Sequence, residues 1–524
     1  MRLRRSYLLV LLVPAFLGGF LVRDMAPRDG ARLFSQVVSR VAGTAVDSLG
    51  ADEIYERAAR GLVEQLDDRY ADLYSPEELA AFSRQALGND YGGVGMQIED
   101  QQGLVRVTKV FPGTPAERGG VQTGDAIVTV DGESTQGLRL DEVSERLLGT
   151  PGSEVAVDFR RPGVPQPIAQ RFVRARVHIP AVPYVLLLDD DIGYVPLQRF
   201  NQDAAREVAE AVNALRMRGA RSYVLDLRGN PGGDLDQAVA VSNVFLDRGE
   251  RIASVRYRGA QEDIHVASDT PVSTSEPLVV LVDEYSASAS EIVAGSLQDH
   301  DRALLLGRPT FGKGVVQSLF PLDDGWGLKL TTARWYTPSG RSIQRDHSDS
   351  RDRSATTAQP APEPATAETP IYYSDAGRPL QGGGGITPDR IVMQDTTTHA
   401  EQALLRMLAP YSQQAYVALY EMAVAHRETL QPGFSVDPSW RAEWLERIQA
   451  AGLRLTPAQL EGTTAMLDRL IEQRMAAVAF GDSAAFRRTL PTDAALRQAI
   501  ALLATGATQQ ELLARAERSP TQPS

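Results

Sequence analysis

From residue 192 onward, short apolar runs alternate with longer amphipathic ones, and this alternation constrains the fold more than any other feature of the chain. Residues 192–197, 223–227 and 278–283 read as strands, and residues 203–217, 235–245 and 291–298 read as helices. Strand–helix alternation builds an α/β sheet whose chemistry sits in the loops beyond the strands' C-terminal ends. At 524 residues the chain is too long for one core, so three or four domains are expected.

Three loops of this region carry candidate chemistry. Residues 226–233 (DLRGNPGG) follow a strand, and their glycines let backbone amides approach an oxyanion closely. The plainer reading is a tight strand-to-helix turn. Residues 286–291 (SASASE) also join a strand to a helix, whose N-terminus would face charge developing on a bound carbonyl. The plainer reading here is a serine N-cap with Glu291 completing a capping box. No glycine flanks Ser288, so this is not the nucleophile-elbow motif of the α/β-hydrolases. Residues 307–314 (GRPTFGKG) approach a phosphate-binding loop, but Gly314 stands where Ser or Thr would hold magnesium. Residues 315–320 (VVQSLF) then read as a strand where that motif needs a helix, so nucleotide binding does not fit.

A serine nucleophile needs a base. The chain has no cysteine, which removes thiolate catalysis and Cys-ligated metal sites, and none of its six histidines sits in a constrained motif. His300 follows the serine helix, whose far end lies roughly 15 Å from Ser288 by helical rise. The same distance makes Asp299 structural. A lysine desolvated in a glycine turn has a lowered pKa and can take the serine proton instead. Lys313 is that candidate.

The remaining segments frame this core. Arg2, Arg4 and Arg5 precede an apolar run at residues 6–22, which reads as an export signal. Pro14 lies inside the run and no clean small-residue cleavage site follows it, so an uncleaved anchor is favoured over a removed signal peptide. Either way the rest of the chain faces outward. Residues 34–88 look helical, with Ile54, Ala58, Leu62 and Leu66 at helical spacing. Residues 92–173 read as short strands with one helix near 140–148, and the glycines at 92, 93 and 95 leave N–H groups free to face an anion. Residues 346–370 are too polar and proline-rich to pack. Residues 398–515 are helical again and read as a docking or capping domain. A formal net charge of -13 argues against nucleic acid as a partner.

These words together resemble the carboxyl-terminal processing, or tail-specific, serine proteases with an embedded PDZ domain. The resemblance runs from about residue 55 to 392. It is carried by residues 286–299 (SASASEIVAGSLQD), 309–317 (PTFGKGVVQ), the DLRGNPGG loop and 382–389 (GGGGITPD). It implies a nucleophile at Ser288, which spacing alone does not choose over Ser286 or Ser290. It also implies a base at Lys313, a supporting Gln317, and oxyanion donors on the backbone of Ala289 and of Gly232 or Gly233. In a plain strand Lys313 and Gln317 would lie about 13 Å apart. Gln317 therefore orients Lys313 only where the chain bends, as Gly314 permits. Residues 92–173 look like the PDZ domain, with Gly93, Val94, Gly95 and Met96 as the loop holding a substrate's C-terminal carboxylate by strand addition.

The implied fold is multidomain α/β and α+β. A signal anchor or signal peptide (1–24) and a helical segment (34–88) precede a PDZ domain (89–175). An α/β Ser-Lys protease core (176–397, with the flexible insertion 346–370) and a helical domain (398–515) follow. The implied function is a serine endopeptidase that recognises the C-terminal tails of extracytoplasmic proteins. It would act on the periplasmic side, held in the inner membrane by residues 6–22, with no metal or organic cofactor. A homo-oligomer or an adaptor is left open, and the alternative is an inactive PDZ scaffold that binds peptides. The insertion and the C-terminal helices lie outside what the family words explain.

Overall fold

The computed structural model describes residues 28–83, 90–101, 103–161, 164–259, 261–345, 370–393, 397–450 and 452–517. The apolar run at 6–22 lies outside them, as does the 346–370 insertion except for Pro370. Among the described residues no helix is long and apolar enough to cross a membrane. The chain divides into two units, residues 1–79 with 317–331 and residues 80–316 with 332–524.

In the first unit, helices Arg28–Thr44 and Ala51–Glu64 precede a short strand, Asp72–Tyr74, that pairs antiparallel with residues 327–329. The residues at helical spacing end before Leu66, which lies past the end of helix Ala51–Glu64. Within the helix Ile54 and Val63 are buried and Leu62 is exposed, because the helix turns the Val63 side toward the strand. Arg60 crosses the turn, lying 5.3 Å over the Trp326 ring and donating to Leu73 O at 2.9 Å.

The second unit is organised by five apolar residues in a row, Leu278–Val282, all fully buried. A strand apolar on both faces must be covered on both, which is the condition of a parallel sheet between helical layers. The sheet runs Leu186–Leu188, Ile192–Pro196, Ser222–Asp226, Leu278–Val282, Leu304–Gly307, Arg390–Ile391. Its first pair is antiparallel and the other four are parallel. Helices Ala204–Met217, Leu235–Asn243 and Ala289–Asp299 cover one face. Helices Ala494–Leu503 and Gln509–Glu517 cover the other, through Leu496, Ala499, Leu503 and Leu512. The helical region expected as one domain at 398–515 is therefore divided. Residues 404–475 build their own core around Trp444, Ile448 and Ile471, while the last helices belong to the α/β sheet.

The segment expected to be a PDZ domain has strands Met96–Gln101, Leu104–Val110, Ala126–Val130, Glu154–Arg160 and Ile168–Val173 in sheet order. Helix Leu140–Leu147 closes its core with Val143 and Leu147. The chain enters and leaves it along an antiparallel ribbon, Asp90–Gly93 against Ala175–His178. Tyr420, on helix Ser412–His426, donates its hydroxyl to Val107 O at 2.5 Å.

Asp299 ends the serine helix as a buried structural anion. Its Oδ1 accepts from Arg341 Nη2 at 2.6 Å and its Oδ2 from Ser339 N at 2.9 Å, with both side chains of the ion pair fully buried. Removing one partner leaves the other charge buried and unpaired, so Asp299→Ala is expected to cost about 3–5 kcal/mol. A chemical melt that matched the parent would remove the structural role.

Candidate active site

The three candidate loops meet at the C-terminal end of the sheet. The serine loop starts as a tight turn in which Asp283 Oδ1 accepts from the N–H groups of Tyr285 and Ser286 at 3.0 and 3.1 Å. It also accepts from Gly229 N at 3.0 Å, which ties the glycine loop to the serine loop. The three serines then separate by environment. Ser286 is fully buried and donates to Leu227 O at 2.8 Å, and Ser290 is fully buried and donates to Asn230 O at 2.9 Å. Ser288 is half-buried and sits at φ 54, ψ −112 as the N-cap of helix Ala289–Asp299.

A positive φ at a non-glycine residue costs about 1–3 kcal/mol and persists only where the surroundings over-determine it. A strained serine at a strand-to-helix turn is the geometry of a nucleophile elbow, built here without flanking glycines. Glu291 supplies the constraint. Its carboxylate is fully buried; Oε2 accepts from Ser288 N at 2.8 Å and from Lys313 N at 2.9 Å. Oε1 accepts from the Thr310 hydroxyl at 2.5 Å and from Gly312 N at 2.7 Å. One oxygen therefore holds the backbones of both candidate residues less than two hydrogen-bond lengths apart. Burial raises the Glu291 pKa above its ordinary value, and the bonds from Thr310, Lys313, Gly312 and Ser288 oppose that rise only in part.

The lysine loop is braced from its other sides. Trp335 Nε1 donates to Lys313 O at 3.0 Å, Trp335 N donates to Gly314 O at 3.1 Å, and Gly314 N donates to Gln344 Oε1 at 2.9 Å. The Lys313 residue itself is half-buried. The GGGGITPD word is part of this brace: Thr310 N donates to Ile386 O at 3.0 Å and Ile386 N returns a bond to Thr310 Oγ1 at 2.7 Å.

The glycine loop touches the serine turn directly. Gly232 has φ +96, and a Cβ there would stand 2.6 Å from Ala287 O and 2.9 Å from both Ala289 N and Ser288 Cβ. Only glycine allows that approach. The Gly232 N–H is already spent on Asn230 Oδ1 at 2.9 Å, while Gly233 continues the loop beside Phe200. At the start of the loop, Arg228 is clamped between Asp226 and Asp493, its Nη2 2.6 Å from Asp226 Oδ2 and 2.8 Å from Asp493 Oδ2. Burial opposes that charge, but the two carboxylates more than offset it and raise the Arg228 pKa.

Gln317 lies in strand Val315–Pro321 and is the first residue of the 317–331 segment of the first unit, with its Nε2 3.5 Å from Thr331 Oγ1. Gly93, Val94, Gly95 and Met96 form the buried bend between strands Asp90–Gly93 and Met96–Gln101. Gly95 sits at φ +88 with Thr114 so close that a Cβ would fall 2.2 Å from it. Its carbonyl takes Phe111 N at 3.0 Å and the Thr114 hydroxyl at 3.2 Å. Glu291, Thr310, Asn230, Arg228 and Asp493 were not singled out as site residues from the sequence. Glu291 carries a signal there as a capping residue, Arg228, Asn230 and Thr310 lie inside the loops quoted above, and Asp493 carries none.

Residues 191–349 match peptidase family S41, and residues 106–161 match a PDZ domain. A carboxy-terminal-processing protease of Bartonella bacilliformis is 36% identical over 316 residues, covering 59% of this chain and 72% of that protein. The carboxyl-terminal-processing protease of a Synechocystis strain is 37% identical over 295 residues, 55% of this chain and 68% of its own. The carboxy-terminal processing protease CtpA of Bacillus subtilis is 33% identical over 294 residues, 56% of this chain, and the match spans 62% of the Bacillus protein. Among solved structures, the photosystem II D1 C-terminal processing protease aligns at 33% identity over 58% of this chain and 82% of its own, with a TM-score of 0.36. With an S41 match across the three loops, a PDZ match ahead of it and 36–37% identity to the Bartonella and Synechocystis proteins over more than two thirds of their lengths, the chain belongs to the carboxy-terminal-processing protease family.

Proposed function

We propose that the chain is a serine endopeptidase that shortens protein tails, with Ser288 as nucleophile and Lys313 as general base. The observation that carries this reading is the shared oxygen of Glu291, which brackets Ser288 and Lys313 while Ser286 and Ser290 are spent on buried carbonyls. The neutral Lys313 amine takes the Ser288 proton as Oγ bonds to the scissile carbonyl carbon. The carbonyl oxygen becomes an oxyanion at the N-terminus of helix Ala289–Asp299, where the Ala289 N–H and the N–H of Gly233 are the donors we assign, since that of Gly232 is engaged. Collapse of this intermediate breaks the C–N bond, and Lys313 returns the proton to the leaving amine. Water then releases the acyl group, with Lys313 again as base. The role of Gln317 in supporting Lys313 rests on the resemblance alone.

Substrates are held by the PDZ domain. Strand Met96–Gln101 ends its sheet, and its outer edge has no partner among the described residues, so a tail can add there as a further strand with its carboxylate at residues 93–96. We place the protein outside the cytoplasm, anchored by residues 6–22, on the basic-then-apolar pattern of its first residues.

A fluorophosphonate probe is expected to label the purified chain at Ser288, and a test protein with an exposed apolar C-terminus is expected to be shortened from that end. Peptide mapping locates the label and intact mass gives the product. A label on another residue, or a substrate recovered whole, defeats this assignment.

A further inference from the structure

We propose that the end of the PDZ edge strand and helix Ser412–His426 together form a second subsite of the tail groove. It takes a lysine or arginine side chain roughly four to six residues upstream of the substrate's C-terminus. This inference rests on the tail-binding reading above and names a sequence preference for it.

An open cavity of about 430 Å³ lies between Glu99, Asp100 and Gln101 on one side and Ser412, Gln413 and Tyr416 on the other. Successive strand side chains point to opposite faces. Three consecutive strand residues line this cavity all the same, and no residue of the paired strand Leu104–Val110 does. The cavity lies at the Gln101 end of the edge strand, and we place it in line with an added strand. A tail antiparallel to Met96–Gln101, with its carboxylate at the Gly95 end, reaches Gln101 after about five residues at 3.3 Å each.

One polar side chain at that point lacks partners of its own. Gln101 is 2% exposed, and neither its Nε2 nor its Oε1 has a hydrogen bond. Buried amides are almost always paired, so this one is left to bond what enters the cavity. Glu99 and Asp100 supply carboxylates, the latter also accepting from Gly103 N at 2.9 Å, and among the described residues no lysine or arginine lines the cavity. Two cations stand nearby, each with contacts of its own. Arg106, opposite Glu99 in the ladder, donates to Gly124 O at 3.3 Å and faces Glu421 at 3.9 Å. Arg474 stacks 4.4 Å over the Tyr416 ring and reaches its hydroxyl at 3.5 Å. The Tyr416 ring and Val417 give the aliphatic stem of a long basic side chain an apolar wall, while its charge meets the two carboxylates and the Gln101 carbonyl. The helix that completes the subsite lies beyond residue 392, outside the stretch carrying the family words.

The test uses the full chain carrying Ser288→Ala, so that tails are bound and not consumed. Fluorescent ten-residue peptides share one apolar C-terminal tetrapeptide and carry Lys, Ala or Glu at the fifth and sixth positions from the end; anisotropy gives their Kd. The lysine peptide is expected to bind about fivefold more tightly than the alanine one, with the glutamate peptide weakest. Gln101→Met keeps the volume without the amide, and Glu99→Gln removes one of the two carboxylates; each is expected to move the Lys/Glu ratio toward one. If Gln101→Met fails to fold, Glu99→Gln carries the comparison. Equal binding of all three peptides overturns the subsite and leaves tail binding standing. If none of them binds, the tail-binding reading itself fails and the subsite falls with it.

Discussion

Ser288→Ala and Lys313→Ala are each expected to lower tail cleavage by about 10⁴-fold or more, because removing either member of a nucleophile–base pair leaves only binding and oxyanion stabilisation. Ser288→Ala is the cleaner test. Alanine meets the same strain as serine at φ 54, and the Ser288 N–H keeps its bond to Glu291, so the fold and the tail site are expected to persist. Cleavage of a defined tail followed by mass, beside thermal melts and peptide affinity, separates a chemical loss from a structural one. A Lys313→Ala chain that still cuts at the parental rate would remove the base from the mechanism. A Ser288→Ala chain that still cuts would remove the nucleophile.

Replacing Glu291 is expected to damage stability and activity together. Glu291→Ala strands the N–H groups of Ser288, Gly312 and Lys313 and the Thr310 hydroxyl in a buried site. Unsatisfied buried donors cost about 1–3 kcal/mol each in isolation, and with partial relaxation a total of about 3–5 kcal/mol is expected in a denaturant melt. Glu291→Gln keeps the volume but turns an amide donor toward other donors. It is expected to retain more stability than the alanine variant and still lose about 10²–10³-fold in cleavage, because the two loops lose their common reference. Wild-type turnover by Glu291→Gln would show that the carboxylate only caps the helix.

The same residue sets a pH dependence with two opposite signs. Its folded pKa is raised above the ordinary 4.5 by burial. The folded state therefore holds this proton more tightly than the unfolded chain does. The stability this group contributes is fully present below 4.5 and is lost as pH rises through the raised value. Activity runs the other way, since protonation takes an acceptor from the donors that bracket the site. On mild acidification the Glu291 contribution should firm the fold while cleavage falls, and the difference between wild type and Glu291→Gln isolates that contribution in paired melts and rate profiles.

Much of the architecture was legible because it is written in local pattern. The runs at 192–197, 223–227 and 278–283 became strands Ile192–Pro196, Ser222–Asp226 and Leu278–Val282, within a residue at each end. The expected helix at 140–148 is Leu140–Leu147. The helical spacing of Ile54, Ala58 and Leu62 falls in helix Ala51–Glu64, while Leu66 lies just past its end; periodicity shows that a helix has two sides, not which side its neighbour will cover, and Leu62 is exposed. The 398–515 region was read as one body for a related reason. Leu496, Ala499 and Leu503 have the spacing of any amphipathic helix, and nothing local says that their partner is a sheet some two hundred residues earlier.

By itself the sequence determined where strands, helices and glycine turns fall, because backbone propensity and side-chain periodicity act over a few residues. It also placed two of the three candidate loops after sheet strands; the strand ahead of the third, Leu304–Gly307, comes from the structure. Only the tertiary structure decided which of three adjacent serines stays accessible and which two are spent on the carbonyls of Leu227 and Asn230. Only it turned Glu291 from a helix cap into the contact between two loops, through bonds to Thr310, Gly312 and Lys313 about twenty residues away. The physical reason is that burial and hydrogen-bond partners at long range are properties of the packed chain, and no spacing along the backbone encodes them.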